Sequence, residues 1–152
     1  MIEEKYIKII AFELNSEEYA IPVEQVRSIE KLQPITRVPK TPSYVKGVIN
    51  LRGVITPIID LRIRFNLEKL DYSSSTRILM TTIDDMEVGF IVDGANDVID
   101  VKNEQIENTP EVIDSVENKY VNGVVKIDTR ILVYLDLNNI LTSDKEISKV
   151  LA

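Results

Sequence analysis

The chain has 152 residues, 44% hydrophobic and 28% charged, enough apolar material for a real core, and its net charge of −7 repels phosphate backbones and anionic lipid headgroups. It has neither Cys nor His, which removes disulfides, thiolate chemistry, the commonest general base and the commonest metal ligand. Met1-Ile2-Glu3-Glu4-Lys5 is no signal sequence, and no run approaches the roughly 20 apolar residues of a spanning helix, so the expected setting is cytoplasmic, with no nucleic acid partner and no direct membrane insertion.

In chain order, Tyr6–Leu14 alternates as a strand with Ile10, Phe12 and Leu14 on one face; Asn15-Ser16-Glu17-Glu18 turns the chain and Tyr19-Ala20-Ile21 returns as its partner. Pro22 suits a first helical position and Val26 lies one helical turn from Ile29, which predicts a short helix over Val23–Ile29. Leu61–Phe65 reads as a second brief helix, and Glu68–Ser75, with three consecutive serines, as a polar connector. Strand, turn and strand recur at Ile78–Ile83, Asp84-Asp85 and Glu87–Val92, about 69 positions after their counterparts, and Asp93-Gly94 then turns into a strand around Val98–Val101. Ser143-Asp144-Lys145-Glu146 resembles a capping box, with Ile147, Val150 and Leu151 as the apolar stripe of a C-terminal helix over 143–151.

The most informative feature is a second repeat. Tyr44–Leu61 aligns without gaps against Tyr120–Leu137, about 76 positions on, with seven of eighteen pairs identical. Each copy runs from an aromatic residue and a Gly through a β-branched segment to a polar turn, then through a second apolar segment to Asp-Leu, the pattern of a tight antiparallel hairpin. The change of spacing places a small insertion at Pro110–Lys119. About five strands per half predict an all-β chain with short helices, built as two small closed barrels, approximately 6–70 and 75–141, around one shared interior.

Little here supports catalysis. The five glycines form no G-x-G element, so a nucleotide cradle is absent. Asp84-Asp85 and the series Asp93, Asp97, Asp100 could serve a hydrolase or a hard cation only by converging in a pocket. Their positions at hairpin turns favour the simpler role of turn-forming residues. Arg52, beside Gly53 at a hairpin tip, has two open readings: a guanidinium fork for a partner's carboxylate, or a solvated turn residue. Gly47 and Gly123 read as places where another backbone or side chain approaches closely.

Lys46-Gly47-Val48-Ile49-Asn50-Leu51-Arg52-Gly53, then Pro57-Ile58-Ile59-Asp60-Leu61 and Val88-Gly89-Phe90-Ile91-Val92-Asp93, resemble the signature of the CheW-type chemotaxis coupling proteins, and the likeness runs from about Tyr6 to Leu141. The resemblance implies two five-stranded SH3-like β-barrels sharing a hydrophobic core, no enzymatic activity and no cofactor. It implies an adaptor between chemoreceptor cytoplasmic tips and the regulatory domain of the histidine kinase CheA, recruited to membrane-associated receptor arrays. Receptor contacts would fall on Val26, Ile29, Gly47, Arg52, Arg77, Ile78 and Ala95, and kinase contacts near Gly53, Glu111 and Val112. The alternative is the same scaffold in a non-motility signalling array. A fused receiver domain is not expected, as the chain ends soon after the second barrel. Three standard contacts on a surface of roughly 7,800 Å² predict exposed Val and Ile in patches of a few hundred Å².

Overall fold

The computed structural model describes residues 6–68, 70–108 and 118–142. Its strands are β1 (Tyr6–Leu14), β2 (Glu17–Pro22), β3 (Val26–Lys31), β4 (Val45–Leu51), β5 (Val54–Asp60), β6 (Arg77–Ile83), β7 (Met86–Val92), β8 (Gly94–Lys102), β9 (Ile106–Glu107), β10 (Val121–Ile127) and β11 (Arg130–Leu135). Two short helices follow hairpins, α1 (Leu61–Arg64) and α2 (Leu137–Thr142). The strands form a six-stranded sheet in the order β8-β1-β2-β11-β10-β9 and a five-stranded sheet in the order β3-β6-β7-β5-β4. This is a mainly β, SH3-like architecture. As hydrogen-bonded ladders the two sheets are open, with β8 and β9, and β3 and β4, at their ends.

The two sheets repeat each other residue by residue. Ile29 pairs with Leu79 on β6 and Val98 with Ile10 on β1, both members shifted by the same 69 positions. The parallel ladders agree as well: Ile58 opposite Gly89 in one sheet, Tyr134 opposite Ala20 in the other. Each sequence half lends its first hairpin to the other half's sheet, because β1–β2 pairs with β8 and β11 while β6–β7 pairs with β3 and β5. The sheets therefore do not coincide with the segments 6–70 and 75–141. The chain crosses between them at Val23–Gln25 and again at Asp93.

This exchange makes the interior continuous. Phe12, Tyr19 and Leu135 of the six-stranded sheet, Ile59, Leu79 and Phe90 of the five-stranded sheet, and Leu61, Leu137 and Ile140 of the helices belong to one buried cluster. Smaller clusters fill each sheet's own concavity: Ile9, Ala11, Val125 and Leu132 in one, Ile49, Ile58, Ile78 and Met80 in the other. The repeated Tyr44 and Tyr120 both pack on Arg64, whose guanidinium lies 4.7 Å and 5.0 Å from their ring centroids.

The repeated signature has a physical reason at each place. The Asp60 N–H donates to the Tyr44 carbonyl and the Asp136 N–H to that of Tyr120, both at 2.8 Å. The Asp60 and Asp136 carboxylates then accept from Arg62 N and Asn139 N, capping α1 and α2. Helix α2 was thus encoded in the repeat, as the counterpart of α1. Gly47 and Gly123 sit in matching β-bulges, where the preceding connection crosses the strand. A Cβ would stand 2.1 Å from the Thr36 carbonyl oxygen at Gly47 and 2.6 Å from that of Glu107 at Gly123.

One predicted element is corrected. Val23–Ile29 is no helix: a single 3₁₀ turn at Val23–Gln25 ends at Val26, where the backbone becomes extended (φ −93, ψ 124) and enters β3. The β-branched Val26 and Ile29 gain an antiparallel ladder against β6, bulged at Arg27, and that outweighs their one-turn spacing. The expected C-terminal helix over 143–151 lies outside the described residues, as does most of the insertion at Pro110–Lys119.

A polar hub holds the second crossing, at Asp93. Buried Arg62 donates to Asp93 Oδ2 at 2.7 Å, to the Glu68 carbonyl at 2.9 Å and to Asn15 Oδ1 at 3.4 Å. The same Asp93 oxygen accepts from Asn15 N at 2.8 Å. Tyr72 donates to Asp60 Oδ2 at 2.8 Å, anchoring the serine-rich connector; burial, then this bond, pushes its phenol well above the usual range.

Candidate functional site

The surfaces that could serve partners lie at the hairpin tips and sheet ends. Both tip residues of β1–β2 (Asn15, Ser16), β4–β5 (Arg52, Gly53) and β6–β7 (Asp84, Asp85) have positive φ, the twist-matched two-residue turn. Asp84 and Asp85 are therefore turn residues, exposed at their tip. Asp97 is held by Arg130, Asp93 by Arg62 and Asp100 by Lys8, each apart from the tip that carries Asp84 and Asp85. Among the described residues no group of three acids could hold a metal ion.

Most of the family-implied residues lie on the five-stranded sheet. Arg52 projects from the β4–β5 tip with its side chain 76% exposed and a 3.5 Å ion pair to Glu30 on β3. That pair brings together the hairpin and the strand at opposite ends of the ladder. Gly53 (φ +87) is open to solvent, its N–H donating to Asn50 Oδ1 at 2.9 Å. Ile29 is 44% exposed on the free side of β3. Val26 and its counterpart Ala95 on β8 are half-buried against the shared core. Arg77 spends its guanidinium on the Ser74 and Thr76 carbonyls at 2.8 Å. Ile78 is 0% exposed, and Gly47 lies beneath the Thr36 crossing, so both can shape a surface only from below. Glu111 and Val112 lie outside the described residues.

Sequence reasoning expected exposed Val and Ile but named none of those that form the apolar rims. Ile55 and Ile131 hold the same place in the repeat, and each is 61% exposed. Val54 beside Ile55, and Val98 as counterpart of Ile29, are exposed too. The signal was present as an identical Ile in both copies, but alternation does not tell which face of a hairpin tip has a neighbour.

The two lobes differ where the tips meet the sheet ends, here called their mouths. In the six-stranded lobe Arg130, at the start of β11, forks onto Glu18 of β2 at 2.6 Å and 3.1 Å. The same guanidinium reaches Asp97 of β8 at 3.3 Å. Asn96 donates to Glu18 at 3.3 Å. The hydrogen bond from Arg130 is the main reason the Glu18 carboxyl is held below the usual range, and the same bond raises Arg130. In the five-stranded lobe the corresponding residues are Val54, Glu87 and Ser28, and a depression of about 180 Å³ opens among them, walled by Leu51 and Met80 and rimmed by Arg27 and Arg52.

With this geometry in hand, the relatives are informative. The CheW-like domain family model matches residues 8–145. The chemotaxis protein CheW of Bacillus subtilis is 49% identical over 142 residues, covering 93% of this chain and 90% of that protein. CheW of Helicobacter pylori is 37% identical, covering 93% and 85%. Among solved structures, the scaffolding protein TtCheW from Thermoanaerobacter tengcongensis superposes with a TM-score of 0.87 at 34% identity, covering 93% of this chain and 97% of that one.

Proposed function

This chain belongs to the CheW family, non-catalytic scaffolds of chemotaxis, and from that premise we propose that it holds chemoreceptor cytoplasmic tips against the regulatory domain of the histidine kinase CheA within membrane-associated arrays. The observation that carries this reading is the presence of two separate apolar rims, Ile55 with Val54 on one lobe and Ile131 on the other, because a coupler needs at least two surfaces that are free together. On this reading the receptor lies along Val26, Ile29, Arg52, Arg77 and Ala95, with Gly47 and Ile78 supporting that surface from beneath. The kinase meets the tip at Gly53 together with Glu111 and Val112. Each contact is moderate alone, and tightness comes from linked sites in the array.

The test is co-sedimentation of CheA with vesicles bearing receptor cytoplasmic fragments. Added chain should raise the CheA retained; retention that does not depend on it would refute the coupling role. Arg52→Asp should lower the chain's own retention with an unchanged melting curve, since the side chain is exposed and its pair with Glu30 is a surface one. Unchanged retention would remove Arg52 from the receptor surface.

A further inference from the structure

We propose that the mouth of the five-stranded lobe is a seat for a partner's arginine, whose guanidinium pairs with Glu87 as Arg130 pairs with Glu18 in the other lobe. The coupling role above is taken as given only for who supplies that arginine. The chemistry of the seat comes from the repeat.

Three positions define it. Register places Glu87 on β7 where Glu18 stands on β2, opposite Thr82 and Glu13 respectively. The aligned hairpins place Val54 where Arg130 stands, at the first residue of β5 and β11. Ser28 on β3 occupies the place of Asp97 on β8. The six-stranded lobe thus carries an acid and its own cation, forked at hydrogen-bonding distance. The five-stranded lobe retains the acid and has a shorter, apolar side chain in the cation's place.

What remains in that place is room and an unused charge. The depression of about 180 Å³ is lined by Glu87, Val54, Leu51 and Met80. Glu87 is half-buried, and its carboxylate has no hydrogen-bond or ion-pair partner among the described residues. Two cations stand on the rim. Arg52 is engaged by Glu30 at 3.5 Å, and Arg27 is exposed on β3 where it lines the opening. The acids of the adjoining tip, Asp84 and Asp85, add negative charge on the Glu87 side. Val54 and Ile55, exposed next to the opening, suit an apolar residue flanking the arginine. A planar guanidinium on an apolar stem matches this combination better than a lysine, because its fork pairs bidentately and is weakly hydrated.

The experiment is an NMR titration of the whole chain with an acetylated Leu-Arg-Leu tripeptide amide, watching the Met80 methyl and the Glu87 amide. Saturable shifts are expected in the wild type. They should weaken about fivefold in Glu87→Gln, a modest factor because the seat is partly solvated. They should vanish in Val54→Arg, where an arginine from the chain itself fills the seat without lowering the melting temperature. The same variants are then tried against the CheA regulatory domain and the receptor fragment. Absence of saturable shifts in the wild type, or equal affinity in Glu87→Gln, overturns the seat. So does tighter binding of the matching acetylated Leu-Glu-Leu amide, which would assign the opening to an acidic group held by Arg27 and Arg52. A wild type that binds the tripeptide but neither protein overturns the coupling role and leaves the seat standing.

Discussion

The two lobes have one backbone and two different mouths. Strand pairing coincides through the 69- and 76-residue repeats, and the same Tyr, Gly, Asp and Leu do the same work in each. Yet one mouth is closed by an Arg130–Glu18–Asp97 network and the other is an open depression. The difference teaches where a duplicated fold is free to diverge. Positions that satisfy bulges, caps and the shared core are constrained in both copies, whereas the outward residues that begin β5 and β11 touch nothing the fold requires.

The largest test of this comparison concerns the constrained positions. Gly47→Ala should cost about 3 kcal/mol or more, since the residue is at φ +142 and its Cβ would collide with the Thr36 carbonyl. Gly123→Ala should cost less, roughly 1–2 kcal/mol, because the collision with Glu107 is milder and no left-handed φ is involved. Urea unfolding checks both, and equal losses would break the ranking. Arg62→Met should remove about 2–3 kcal/mol by stranding Asp93 and the Glu68 carbonyl in a largely buried setting. Arg130→Val, which turns the closed mouth into the open kind, should cost about 1 kcal/mol or less because its network is solvent-exposed. A loss as large as that of Arg62 would mean that the closed mouth is part of the core.

The closed mouth also predicts a pH dependence. Arg130 lowers the Glu18 pKa in the folded chain, so the ionised pair stabilises at neutral pH, and that contribution disappears as pH falls from the ordinary carboxylate value through the lower folded one. Glu18→Gln should therefore flatten the acid limb of the stability curve without affecting the region above it; an unaltered limb would show that the pair contributes nothing. The smallest stability effects belong to Ile55→Ser and Ile131→Ser, within about 0.5 kcal/mol of wild type because both side chains are mostly exposed. On the coupling role each should weaken partner capture, and a variant that captures normally removes its rim from the docking surface.

Much of the fold was legible because it is local or repeated. Alternation gave β1 and β6, tip chemistry gave the turns at Asn15-Ser16 and Asp84-Asp85, and the Tyr-Gly-Asp-Leu spacing gave both long hairpins. What was not legible depends on long-range pairing. Val26 and Ile29 read as a helix because their extended state is decided by β6, some fifty residues away in the chain. The exchange of first hairpins left no local trace, since β2 and β7 look alike whichever sheet they join. At the surface, Arg52 was visible as an odd charge at an apolar tip. Ile78 was not distinguishable from a contact residue, because an apolar strand residue reads the same whether it faces the core or a partner.

Kinase regulation tests the coupling role most directly. Receptor cytoplasmic fragments and CheA are mixed with and without the chain, and autophosphorylation is followed with labelled ATP. The two-surface scaffold predicts that receptor control of CheA appears only when the chain is present. Identical phosphorylation in both mixtures would contradict it.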